Sequence, residues 1–192
     1  MLAVLDETYP ELAGGIAYVV GAAVILADEH EARAAVVGLF AGTPRRRPFH
    51  WHEEGPTARQ AIIGVLGEIG AVAHVCVHYP TGRKKLEAAR AGALQAIVPK
   101  IVGDGASLLL IESRGDLEDD GATAAVILDT LNALQRPGEL AYQWRDKSES
   151  LLWLADGICG AVRQHLLQID DGPLEALRAA GVVDDLKYIG SA

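Results

Sequence analysis

The chain has 192 residues, half of them hydrophobic, which suits one compact domain with a sizeable core. A formal net charge of -9 and a pI near 5.1 leave no chain-wide basic field to collect nucleic acid or an anionic membrane, so any nucleic-acid contact must use local basic patches. The two cysteines, Cys76 and Cys159, lie far apart and without paired spacing, which argues against a disulfide framework and for a reducing, cytoplasmic setting. Taken in order, MLAVLDETYP lacks a basic leader and meets acids at Asp6, so residues 2–6 read as a strand and not as a secretory signal. A turn region over 10–15 leads into a second strand over 15–26, and a strand pair joined by a short connection predicts an antiparallel hairpin. Residues 28–40 are helix-compatible, 42–48 form a Gly/Pro loop, and FHWH (49–52) alternates like a brief third strand. Gly55-Pro56 then starts an amphipathic helix carrying Ala58, Ile62, Val65, Leu66 and Ile69.

Residues 71–79 read as a strand, and Thr81-Gly82 opens a helix with Leu86, Ala89, Ala93, Leu94 and Ile97 on one side, ended by Pro99. SLLLIES (107–113) suits a central strand buried on both faces. A helix over about 120–135 stops at Arg136-Pro137-Gly138, and 140–144 forms a last strand. The final long helix, 149–168, buries Leu151, Leu154, Ala155, Ile158 and Val162. The apolar runs are too short to span a bilayer. The expected organisation is a domain over 1–168 followed by a short helix and tail over 169–192, and the hairpin-first alternation predicts an α/β fold with a mixed sheet.

Four acids sit where apolar segments end. Strand alternation puts Leu2, Val4 and Asp6 on one face and Ala3, Leu5 and Glu7 on the other, so Asp6 and Glu7 serve different surroundings. Glu53 and Glu54 precede a helix start, where the helix dipole favours an anion, a position that plain capping also explains. Glu112 ends the run from Leu108 to Ile111, at the strand edge where ligands of α/β sheets collect. Asp156 interrupts the stripe of the last helix beside Gly157 and Gly160, which allow close backbone approach. Two carboxylates about 4 Å apart repel by roughly 4 kcal/mol at an effective dielectric near 20. A cluster of Asp6, Glu54, Glu112 and Asp156 therefore calls for protons or a divalent cation, and Mg²⁺ or Mn²⁺ prefers such oxygen ligands.

With Asp6-Glu7-Thr8 at the end of the first strand and Leu152-Trp153-Leu154-Ala155-Asp156 in the last helix, preceded by Lys147-Ser148, the chain resembles an uncharacterised bacterial family of ribonuclease H-like proteins. That family opens with a strand ending Asp-Glu-Ser and closes with a helix bearing Leu-Gln-Leu-Ala-Asp. FHWHEEG and Ile111-Glu112-Ser113 are also similar to family positions, and the resemblance spans about residues 2 to 168. Thr8 and Trp153 depart from the family's Ser and Gln. The resemblance implies a ribonuclease H-like fold, a hairpin-led mixed sheet flanked by helices, and a divalent-metal-dependent nuclease site. Asp6, Glu54, Glu112 and Asp156 would bind metal, with Lys147 or His78 stabilising charge or moving protons. A catalytically idle interaction module of a mobile-element or defence system is the alternative.

Two basic triplets, Arg45-Arg46-Arg47 and Arg83-Lys84-Lys85, flank the proposed metal edge and are the candidate contacts to a nucleic-acid backbone. The second also sits in a first helical turn, where cations oppose the dipole unless an anion is near. His50 and His52 on one strand, with His74, Cys76 and His78 on another, make a zinc hydrolase the lesser alternative. No GxxxxGK[ST], GxGxxG or GxSxG motif occurs, which weighs against P-loop, dinucleotide and serine-hydrolase chemistry.

Overall fold

The computed structural model describes residues 1–41, 48–80, 85–113, 115 and 117–190, the last span without the side chains of residues 117 and 118. Its centre is the apolar run after Met1, which forms β1 (Leu2–Thr8) and pairs antiparallel with β4 (Tyr18–Ile25), all eight residues of which are buried. Between them lies a small ribbon of β2 (Glu11–Leu12) and β3 (Gly15–Ile16), with Gly15 at φ +140° where the chain turns. The remaining strands are β5 (Val72–His78), β6 (Leu108–Glu112), β7 (Ala141–Arg145) and β8 (Val183–Ile189). The six-stranded sheet runs β7-β6-β1-β4-β5-β8; β4 is antiparallel to both of its neighbours and the other pairings are parallel. This is an α/β fold with a mixed sheet led by an antiparallel hairpin.

Pleating sorts the core into two layers. Leu2, Val4, Val19, Ala23 and Ile25 pack against α1 (Glu29–Gly38), α2 (Pro56–Glu68), α5 (Leu152–Leu166) and α6 (Gly172–Ala179). Ala3, Leu5, Val20, Ala22 and Val24 pack on the opposite side against α3 (Leu86–Gly103) and α4 (Leu117–Ala133). Strands covered on both faces must be apolar throughout, which is why β1 and β4 read as unbroken hydrophobic runs.

Three expectations are corrected. FHWH is not a strand: Trp51–Glu53 form a single 3-10 turn, η1, because the Trp51 indole is buried against α5 and the Trp51 N–H is taken by a side chain on that helix instead of a ladder. Pro99 does not end α3, which continues to Gly103. The residues around it, Ile97, Val98, Ile101 and Val102, are buried, and their burial outweighs the roughly 3 kcal/mol a mid-helix proline costs. The segment after residue 168 is not a tail. Leu174 and Leu177 of α6 enter the core, and β8 pairs with β5 as the sheet's edge strand. The Thr81-Gly82 helix start lies outside the described residues. Among the described residues, no helix is long and apolar enough to cross a membrane.

Because α6 shares that core, Leu177→Ala is expected to cost about 2–5 kcal/mol. Calorimetry should then show one unfolding transition shifted down by about 2–4 °C per kcal/mol. A separate small transition, with the main one unmoved, would mean that the C-terminal segment folds apart from the sheet.

Candidate functional site

Register places the first two acids. β1 and β6 run parallel with Leu5 opposite Ile111, so Asp6 and Glu112 follow side by side at the carboxyl ends of adjacent strands. The third arrives on α5, which crosses β1 and β4 at unusually close range. A Cβ at Gly21, the β4 partner of Asp6, would lie 2.8 Å from Cys159 Sγ, and a Cβ at Gly157 would lie 2.6 Å from Ile62 Cγ2. A Cβ at Gly160 would fall inside the Trp51 indole. These glycines let the helix backbone settle onto the sheet and onto η1, and Cys159 Sγ donates to the Asp6 carbonyl at 3.2 Å. Asp6, Glu112 and Asp156 thus line one pocket of about 370 Å³, together with His50, Trp51, His52, Lys147 and Arg163.

The charges in this pocket are unevenly compensated. Burial, and after it the charges of Asp156 and Glu112, push the Asp6 carboxyl well above the usual carboxylate range. Among the described residues no cation forms an ion pair with Asp6. Burial also raises Asp156, but the Trp51 N–H donates to its Oδ2 at 2.7 Å and His50 Nδ1 stands 3.6 Å away, both opposing the rise. Lys147 Nζ lies 3.1 Å from Glu112 Oε1 and 3.3 Å from His50 Nε2. An ammonium only donates, so His50 accepts at Nε2 and carries its proton on Nδ1, toward Asp156. Cys159 is raised by burial and then by Asp6 and Asp156, so it stays a thiol and not a nucleophile.

Glu7 follows the strand alternation to the other face. Arg90 of α3, only 3 % exposed, donates through Nε to Glu7 Oε2 at 2.6 Å and through Nη1 to Thr123 Oγ1. Arg163, two turns beyond Asp156 on α5, reaches Thr8 Oγ1 at 3.5 Å.

Two of the expected site residues lie elsewhere. Glu54 closes η1 and does not line the pocket, because the 3-10 turn presents His50, Trp51 and His52 there instead. His78 ends β5 with its ring against α3 at Gly92, and it too lies outside the pocket lining. Lys85 stands exposed at the start of α3, apart from the pocket; Arg45, Arg46, Arg47, Arg83 and Lys84 lie outside the described residues. The two zinc-candidate sets sit on opposite faces of the sheet: His50 and His52 beside α5, and Cys76 in the core under α3. His74 is bound to Asp104 at 2.6 Å, and burial pushes the Cys76 thiol up to about 11.

Sequence reasoning passed over His50 as the partner of Asp156, and it passed over Arg90 and Arg163. Both arginines carried a signal. Arg90 falls on the apolar stripe of its helix between Leu86 and Ala93, where an arginine needs a buried partner. Arg163 shares the helical face of Asp156 and Gly160.

Three oxygen-donor side chains that raise one another's pKa fit a hard divalent cation. Among the described residues, no three His, Cys, Asp or Glu side chains are already set in a cation-ligating arrangement. No protein-family model matches the chain, and no curated protein matches it significantly.

A carboxyl whose folded pKa is raised costs stability as pH climbs from its unfolded value through its folded one, and the full cost is present above that. Asp6→Asn is therefore expected to melt higher than the wild type at neutral pH, by about 2–4 °C per kcal/mol of repulsion relieved. The gain should shrink toward zero as pH falls to about 4. Millimolar Mn²⁺ should raise the wild-type midpoint and leave that of Asp6→Asn nearly unmoved. A mutant that melts lower at every pH would remove the electrostatic account of Asp6. Gly160→Ala is expected to displace the indole and cost about 1–3 kcal/mol, with a red-shifted tryptophan emission as Trp51 meets water.

Proposed function

We propose that the chain is a ribonuclease H-like nuclease that hydrolyses phosphodiester bonds with a divalent metal held by Asp6, Glu112 and Asp156. The observation that carries this reading is the meeting of those three carboxylates, from β1, β6 and α5, in one pocket. The hairpin-led mixed sheet and the two end motifs support it from the side of the fold.

Mg²⁺ or Mn²⁺ bound there would activate water and stabilise the oxygens of the displaced phosphodiester. The chain's own residues supply the rest. Asp6, without a paired cation among the described residues, is the acid with most to gain from a metal. His50 and the Trp51 N–H hold Asp156 in place. Lys147 and Arg163, on the pocket wall, would bind phosphate oxygens, Lys147 exchanging Glu112 for the substrate as it does so. The nucleic-acid partner follows from this chemistry, and Glu54 and His78 have no role in it.

One observation favours a second reading. Lys147 already neutralises Glu112, and His50 already faces Asp156, an arrangement that also suits a catalytically idle module which binds a partner without cutting.

Cleavage of RNA, single-stranded DNA, duplex DNA and hybrids with Mg²⁺ or Mn²⁺ tests the assignment. Asp6→Asn and Asp156→Asn should each lower the rate by about 100-fold or more, whereas Glu54→Gln should stay within about 3-fold of the wild type. Absence of cleavage on every substrate, or equal cleavage by wild type and Asp6→Asn, would reject the nuclease and leave the idle module.

A further inference from the structure

Tyr9 stands at the mouth of the acidic pocket, one residue past the end of β1, and is 55 % exposed. It is nonetheless fixed in orientation. Its ring stacks on that of Tyr18, buried at the start of β4, with centroids 6.1 Å apart and planes 19° from parallel. The opposite rim carries His50 and His52, whose rings meet edge to face at 4.2 Å. The His52 side chain is 62 % exposed. Its pKa is lowered by partial desolvation and then by the charge of His50, which keeps the ring neutral at neutral pH. The pocket thus has a flat aromatic surface on each rim, acids on its floor, and Arg163 and Lys147 between.

This arrangement bears on the form of the substrate. The pocket, about 370 Å³, lies at the small end of ligand sites. Asp156 and Glu112 are recessed in it, with side-chain exposures of 19 % and 25 %. A duplex keeps its base faces inside the stack and has none to offer a tyrosine ring. An unpaired nucleotide can lay its base on such a ring while its phosphate drops toward the floor, and stacking of this kind is tolerant of sequence. Resting on the nuclease reading above, we propose that the pocket takes single-stranded nucleic acid, with the base next to the scissile phosphate stacked on Tyr9.

The test is binding, measured apart from cleavage. Full-length Asp6→Asn protein with Mg²⁺ is titrated against fluorescein-labelled single strands of about 12 nucleotides, as RNA and as DNA, and against duplexes of the same sequence, following anisotropy. At least one single strand should bind about 10-fold or more tighter than its duplex. Adding Tyr9→Ala should weaken that binding by about 5- to 100-fold, while Tyr9→Trp should hold it within about 3-fold. An abasic spacer scanned along the strand should, at one position, cost the Tyr9 protein a similar factor and cost the Tyr9→Ala protein little. This double comparison separates a lost stack from a damaged fold. Duplex binding as tight as single-strand binding, or single-strand affinity unmoved by Tyr9→Ala, overturns the proposal. Metal-dependent cleavage that persists alongside that second result leaves the nuclease standing without its stacking platform. Tyr9-dependent single-strand binding by a wild-type protein that cleaves nothing supports the platform and removes the nuclease.

Discussion

The close seating of α5 on β1 and β4 is the constraint on which the rest of the site depends. An ordinary helix carries Cβ atoms that hold its backbone off a sheet, and here Gly157 and Gly160 on the helix and Gly21 on the strand remove them where they would collide. Asp156 is thereby carried to the same pocket as Asp6, and two half-buried carboxylates come to repel each other in a poorly solvated place. The fold holds this arrangement with hydrogen bonds at its edges. The Trp51 N–H and His50 serve Asp156, Lys147 serves Glu112, and the Cys159 thiol ties α5 to the Asp6 backbone. Asp6 receives least of this support, which makes it the point where a cation or a proton would matter most.

The sheet also keeps unlike electrostatic tasks apart. Asp6 and Glu7 are neighbours in sequence, yet pleating sends one toward α5 and the pocket acids and the other toward α3 and Arg90. A buried guanidinium joined to Glu7 and Thr123 closes the pocket wall from behind without neutralising Asp6 directly. His74 and Asp104 form a comparable pair between β5 and the end of α3, away from the pocket. The α3 face thus ties down its charged groups in pairs, while the α5 face gathers acids around an open space.

Much of the α/β frame was legible in the chain, because long apolar runs and 3.6-residue periodicity report burial directly. The alternation argument for Asp6 against Glu7 needed only the pleat of one strand. FHWH was misread because its alternation is real, but the Trp51 side chain and the Asp156 carboxylate offered its backbone better partners than any strand edge. Pro99 was misread as a stop because local propensity yielded to buried neighbours on both sides. The last twenty or so residues looked like a tail because β8, VDDLKYI, carries too many polar groups to advertise a strand, as an edge strand may.

The sequence by itself determined the element types, the buried faces, and that Asp6, Glu112 and Asp156 each stand where an apolar segment is interrupted or ends. Those are local properties, set by side-chain size, polarity and period. Which acids share a pocket was decided only by tertiary structure. Convergence depends on the parallel register of β1 with β6 and on how near three glycines let one helix approach, and neither is encoded within any single segment. By the same route Glu54, as apt in sequence as the others, is left outside, and His50, Arg163 and Tyr9, each unremarked in its own segment, stand at the rim.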